Sequence, residues 1–218
     1  DDVNLDIILA AHGYNKLCKM GNTLQGQLYK AKKLQCVDAS NSSSDLVAIK
    51  QISKQLYNAH IAYQDNCTFC VDNDVVKEAY LLQLLTEHRM IGDYVVRFVE
   101  FFESKSHLFL VMEYVDSTLT LKQYIARSHQ LIADGKLSRR EYSKAVKFIM
   151  WQLVTTIYSL HDMFQCAHLD LCPENIVLLN AEYVKAADGS LKVDNAISIK
   201  LCDFGKAEMF KVDHTKSN

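Results

Sequence analysis

An α+β fold is predicted for these 218 residues by three features of the chain. The alternating apolar stretch LVAIK at 46–50 reads as a strand that ends on a lysine. Segments 75–85, 119–129 and 139–163 place apolar residues at helical spacing. Beyond them, Ser198 to Cys202 forms a second short strand, and Gly205 lets the chain turn sharply after it.

The elements follow in order. The start, DDVNLDIILAAHGYN, lacks the basic region and cleavage site of a secretory leader, and it also lacks an initiating Met, so a missing upstream segment is expected. GNTLQGQL, residues 21–28, supplies two glycines ahead of the first strand signal. In LVAIK, Lys50 emerges beside Ala48, whose small side chain leaves room for a flat base. The helix VVKEAYLLQLL at 75–85 carries Glu78 on one face with Leu82 and Leu85, which suits an ion pair to Lys50 on an adjacent sheet. The segment 119–129 is a shorter amphipathic helix whose start Ser117 or Thr118 would cap. Residues 139–163 form a long helix with Val146, Ile149, Leu153, Ile157 and Leu160 on its apolar face, and its aromatic residues are expected in the core.

Chemistry concentrates in HLDLCPENIVL at 168–178 and CDFG at 202–205. An Asp followed five residues later by an Asn, Asp170 and Asn175, sets a carboxylate near an attacking hydroxyl while the amide holds a metal ion. Asp203, at the end of its strand, can ligate Mg²⁺ that bridges nucleotide phosphates. The one proline of the chain, Pro173, fixes a backbone angle inside this loop. With the Lys50 ammonium on phosphate, these groups read as a site for phosphoryl transfer.

VAIK, the glutamate helix, HLDLCPEN and CDFG, in that order, resemble the eukaryotic protein kinase family from about Leu9 to about Glu208. The resemblance implies a two-lobed fold with an antiparallel small-lobe sheet plus helix and a partial helical large lobe. Residues 1–115 would be small lobe and hinge, and 116–218 the large lobe through the catalytic loop and DFG. HLFLVMEYV at 107–115 would run into the hinge, with Met112 as gatekeeper and Glu113 to Val115 offering backbone groups to adenine. Leu28, Ala48 and Val177 would sandwich that base, and Gly21 and Gly26 match the first and third glycines of the phosphate loop. Phe98, Leu82, His168 and Phe204 match four stacked positions of the active arrangement. The implied reaction moves the γ-phosphate of MgATP to a serine or threonine of a protein substrate. Asp170 would accept the hydroxyl proton, Lys50 with Glu78 would position phosphates, and Asn175 with Asp203 would hold Mg²⁺.

Three positions depart from the family. Thr23 replaces the second glycine and is β-branched, which disfavours positive backbone angles. Leu169 stands where most members have an arginine, and Cys172 where serine/threonine kinases usually carry a lysine that contacts the transferred phosphate. The alternative is therefore a pseudokinase, a nucleotide-binding scaffold without significant catalysis. Insertions are expected as surface loops at about 53–74 and 180–196. With 15 residues after Asp203 and no alanine, proline, glutamate signature, the chain reads as a fragment without its substrate platform.

A net charge of −2 gives no sign of nucleic-acid attraction, and no apolar run approaches a membrane span. Seven cysteines without a regular framework point to reduced thiols and an intracellular, cytoplasmic setting. Cys67 and Cys70 form a CxxC without a second pair at zinc-ligand spacing, and oxidation of Cys172 or Cys202 is expected to inhibit the site.

Overall fold

The computed structural model describes residues 3–23, 26–34, 45–64, 74–115, 119–186, 189, 191–193 and 197–210. The chain divides into two compact units, one of residues 1–83 and 97–114, the other of 84–96 and 115–218.

The first unit is an antiparallel sheet of five strands with helices. In chain order it contains α1 (Val3–Ala11), β1 (Tyr14–Asn22), β2 (Gly26–Lys33), β3 (Leu46–Ser53), α2 (Lys54–Gln64), the start of α3 (Val75–Glu87), β4 (Phe98–Glu103) and β5 (His107–Glu113). The strands lie in the order β1-β2-β3-β5-β4. Residues paired directly across strands share a face of a sheet, and the register therefore sorts this unit into two sides. Tyr29, Ile49 and Val111 are paired in one row, and Ala31 with Val47 and Phe102 with Phe109 join the same side. These residues form the core together with Leu5, Leu9 and Tyr14. Leu5 and Leu9, one helical turn apart on α1, thus cover this face, a helix that the reading of the N-terminal segment did not anticipate. The opposite face carries Leu28, Lys50 and Leu110 in one row and Lys30, Ala48, Met112 and Phe98 in the next.

The loop expected at 53–74 needs correction, because Lys54–Gln64 is helix α2. Its Tyr57 hydroxyl donates to Asp74 Oδ1 at 3.0 Å, and the same oxygen accepts the backbone N–H groups of Val76 and Lys77, capping α3. Burial, reinforced by Asp74, pushes the Tyr57 phenol up to about 12, so it remains a donor. Cys67 and Cys70 lie outside the described residues.

The second unit contains β6 (Leu119–Thr120), α4 (Leu121–Ala133), α5 (Arg139–Phe164), β7 (Cys166–Ala167), β8 (Ile176–Leu179), β9 (Tyr183–Lys185), β10 (Leu191–Val193), β11 (Ser198–Leu201) and β12 (Glu208–Met209). Strands β11, β8 and β6 form one small sheet, and β9 with β10 and β7 with β12 form two-stranded ladders. The segment 180–196, expected as a loop, thus contains an antiparallel pair. The cap expected at Ser117 or Thr118 lies outside the described residues. At α4 Thr120 instead accepts the Gln123 N–H while Gln123 returns to the Thr120 N–H, a capping box.

Along α5 the buried stripe is Ala145, Ile149, Gln152, Leu153, Thr156 and Leu160. The aromatic residues of this helix are not core as expected: Phe148, Trp151 and Tyr158 are 42%, 62% and 65% exposed. Trp151 and Tyr158 lie on the face opposite the stripe and Phe148 on its flank, where the 3.6-residue period sends them once Ile149, Leu153 and Leu160 turn inward. Among the described residues no helix is long and apolar enough to cross a membrane.

Candidate active site

In the first unit, Lys50 Nζ lies 2.8 Å from Glu78 Oε2, with the two side chains 6% and 1% exposed. β3 and α3 create this pair by burying Ala48 and Ile49 beside the lysine, and Leu82 and Leu85 beside the glutamate. The same sheet face holds Leu28, Ala48 and Met112, so four sequence-predicted residues occur together. Glu113 and Tyr114 are tied by backbone bonds to Arg97 and Leu46, and Val115 follows them half-buried. Phe98 is paired with Met112, and Leu82 is fully buried.

The two glycines differ. A Cβ on Gly26 would meet the Gln51 carbonyl oxygen at 1.8 Å, so β2 reaches β3 only because that side chain is absent. A Cβ on Gly21 meets nothing within 4 Å. Between them, the Thr23 N–H donates to the Gly26 carbonyl at 2.9 Å. Thr23 is not among the residues with positive φ, so its β-branch imposes no left-handed strain.

In the second unit, the loop from His168 to Asn175 connects β7 to β8. Its Asp170 carboxylate is held at both oxygens: Lys206 Nζ donates to Oδ1 at 3.0 Å, and Asn175 Nδ2 lies 3.4 Å from Oδ2. That amide also donates to the Asp170 carbonyl at 3.0 Å. The strand ends are locked together, since the Cys202 N–H donates to the Asn175 carbonyl at 3.0 Å. Val177 is half-buried on β8, opposite Lys200.

His168 organises this loop. Its Nδ1 accepts the Asp170 N–H at 3.3 Å, so the ring proton sits on Nε2 and is donated to the Cys202 carbonyl at 3.0 Å. Burial holds the imidazole below its ordinary value, and its ring lies 4.5 Å from that of Phe204. Asp203 takes left-handed backbone angles, φ 62 and ψ 67, an uncommon state that Asp tolerates better than most residues. Leu169 is also left-handed at φ 56, with its side chain exposed. Cys172 is a half-buried free thiol.

Lys206 is the residue of this cluster that sequence reasoning missed. It directly follows CDFG, and its signal was a lysine beside that motif while the other motif, HLDLCPEN, has Cys172 at its lysine position.

A family model described as "Protein kinase domain" matches residues 14–218. Serine/threonine-protein kinase AFC1 of Arabidopsis thaliana is 28% identical over 215 residues, which cover 92% of this chain and 39% of that protein. Cyclin-dependent kinase-like 4 of Homo sapiens is 25% identical over 196 residues, 90% of this chain and 39% of that protein. The chain thus spans about two fifths of the length of these relatives.

Proposed function

The chain belongs to the protein kinase family, and from that premise we propose that the natural protein transfers the γ-phosphoryl group of MgATP to serine or threonine hydroxyls of a protein substrate. The observation that carries this reading is the buried Lys50–Glu78 pair. Desolvating such a pair costs several kcal/mol per ion, and an apolar pair of similar volume is often as stable or more so. A fold kept only as a scaffold gains little from it, whereas a fixed ammonium is what a phosphate-binding site requires.

In this reading residues 1–115 are small lobe and hinge, and 116–218 large lobe. Lys50, fixed by Glu78, takes the phosphates. Leu28, Ala48, Met112 and Val177 enclose adenine, the backbone of Glu113 and Val115 meets its polar edge, and Gly21 and Gly26 belong to the phosphate loop. Asn175 and Asp203 supply hard oxygen donors of the kind Mg²⁺ prefers. The bound metal supplies charge neutralisation at the phosphates. Asp170 orients the acceptor hydroxyl and takes its proton. The serine/threonine assignment draws on the names of the relatives and on PEN at 173–175. ATP supply and free thiols fit an intracellular, cytoplasmic setting.

A second reading, a nucleotide-binding scaffold without catalysis, is favoured by Cys172, a thiol that brings no positive charge to the loop. Thermal melting and phosphoryl transfer by the natural full-length protein separate the two. The enzyme reading expects a Mg²⁺-dependent rise in Tm with ATP together with transfer, and loss of both in Asp203→Ala. A rise without transfer supports the scaffold, and undiminished turnover in Asp203→Ala overturns the mechanism.

A further inference from the structure

We propose that Lys206 is the cation that stands beside the transferred phosphoryl group, in place of the lysine that serine/threonine kinases carry at the position of Cys172. This rests on the phosphoryl-transfer reading and deepens it. The loop sequence alone presents Asp170 without a cation two residues on. The fold restores one from another element, since Lys206 Nζ is 3.0 Å from Asp170 Oδ1.

Three observations make this more than a surface ion pair. Lys206 is fixed by its neighbours: Phe204 and Ala207 are fully buried, the Ala207 N–H donates to the Phe204 carbonyl at 3.0 Å, and Glu208 is paired with Ala167 at the start of the catalytic loop. Lys206 and Asp170 are 36% and 30% exposed, so an incoming group can reach both. An ammonium carries three donors, and Asp170 engages one, which leaves capacity for phosphate oxygens. Another lysine contacting this loop, Lys122, is directed to Glu174 at 2.6 Å.

During transfer the bond from the γ-phosphorus to the β,γ-bridging oxygen breaks, and ADP leaves with the electron pair. A bond from the acceptor hydroxyl oxygen to phosphorus forms, and the hydroxyl proton passes to Asp170. Lys206 stabilises the charge on the equatorial phosphoryl oxygens and, in the resting state, that on Asp170.

The test uses the natural full-length protein, with MgATP and a degenerate mixture of serine- and threonine-containing peptides. Lys206→Met is expected to lower kcat on the order of a hundredfold with little change in KM for MgATP. Adding Cys172→Lys to Lys206→Met is expected to recover at least about tenfold of that loss, because it returns the charge to its usual place. A merely structural lysine gives no such rescue. Melting curves verify that each variant folds. Transfer by Lys206→Met within about threefold of the unmodified protein, or a folded double variant no faster than Lys206→Met, overturns the role of Lys206 and leaves the kinase reading standing. Absence of transfer by the unmodified protein overturns both.

Discussion

At His168 a proton decides how firmly the loop of residues 168–175 is held. Its Nδ1 accepts from Asp170 and its Nε2–H donates to Cys202, a pairing that requires the neutral ring. Burial pushes its pKa below the ordinary 6.5, so below that pH the unfolded chain binds a proton that the native state refuses. Stability therefore falls as pH drops under about 6.5, by at most about 1.4 kcal/mol per pH unit for this group, and is flat above it. His107, also lowered by burial, adds the same sign. Melting curves between about pH 8 and 5.5 are expected to show this decline, and His168→Gln to weaken it; an unchanged acid slope in that variant rejects the assignment. At Lys50 charge compensation decides stability. Glu78→Gln leaves the ammonium buried beside a neutral group and is expected to cost about 3–5 kcal/mol, whereas Lys50→Met with Glu78→Leu returns most of that stability. Denaturant unfolding of both variants decides it, and equal losses would mean that the pair is not a charge-compensation device. These residues were legible in the sequence because the chemistry confines them to short strings of fixed order. Lys206 was not, because its meaning depends on a contact with Asp170 across 36 residues of chain.

Elements were legible where one period dominates. The helices at 75–87 and 139–164 and the strands at 46–53 and 198–201 follow apolar spacing that the sequence displays directly. Helix α1 was missed although Leu5 and Leu9 repeat at one turn, because nine residues give that pattern little weight without the sheet face they cover. The exposed aromatic face of α5 was misjudged for a related reason: large apolar residues lie on both sides of the helix, and Gln152 and Thr156 take buried places instead. Gln152 belongs there because its amide donates to the Ile197 carbonyl at 3.1 Å. Gly26→Ala forces a methyl group onto the Gln51 carbonyl, and β2 and β3 must separate locally, at a cost of about 1–3 kcal/mol. Gly21→Ala meets open space and should change stability by less than about 0.5 kcal/mol. Comparable losses in the two variants, measured by urea unfolding, would show that neither glycine is fixed by packing. The capping box of α4 is a further case: Thr120→Ala is expected to cost about 1 kcal/mol.

For the whole molecule the question is whether groups carried by both units serve one ligand, as the proposed function requires. The ligand can be assembled in steps, adenosine, then ATP, then MgATP, and each step engages a different set of the assigned residues. Under the proposed function adenosine would engage Leu28, Ala48, Met112 and Val177, ATP would add Lys50, and Mg²⁺ would add Asn175 and Asp203. A ligand that binds the folded state alone raises stability by RT ln(1 + [L]/Kd), about 2.7 kcal/mol at a hundredfold excess over Kd. The rise in Tm should therefore grow along the series for the unmodified protein. Lys50→Met combined with Glu78→Leu, chosen because it removes both charges of the buried pair, should retain the adenosine step and lose most of the ATP step. Asp203→Ala should retain both and lose the Mg²⁺ increment. The two variants thus truncate one series at different points, a pattern that general destabilisation cannot produce, because loss of fold lowers every step together. Retention of the full MgATP increment in Asp203→Ala would separate the metal from CDFG, and loss of the adenosine step in either variant would show that the residues do not divide the ligand in this way.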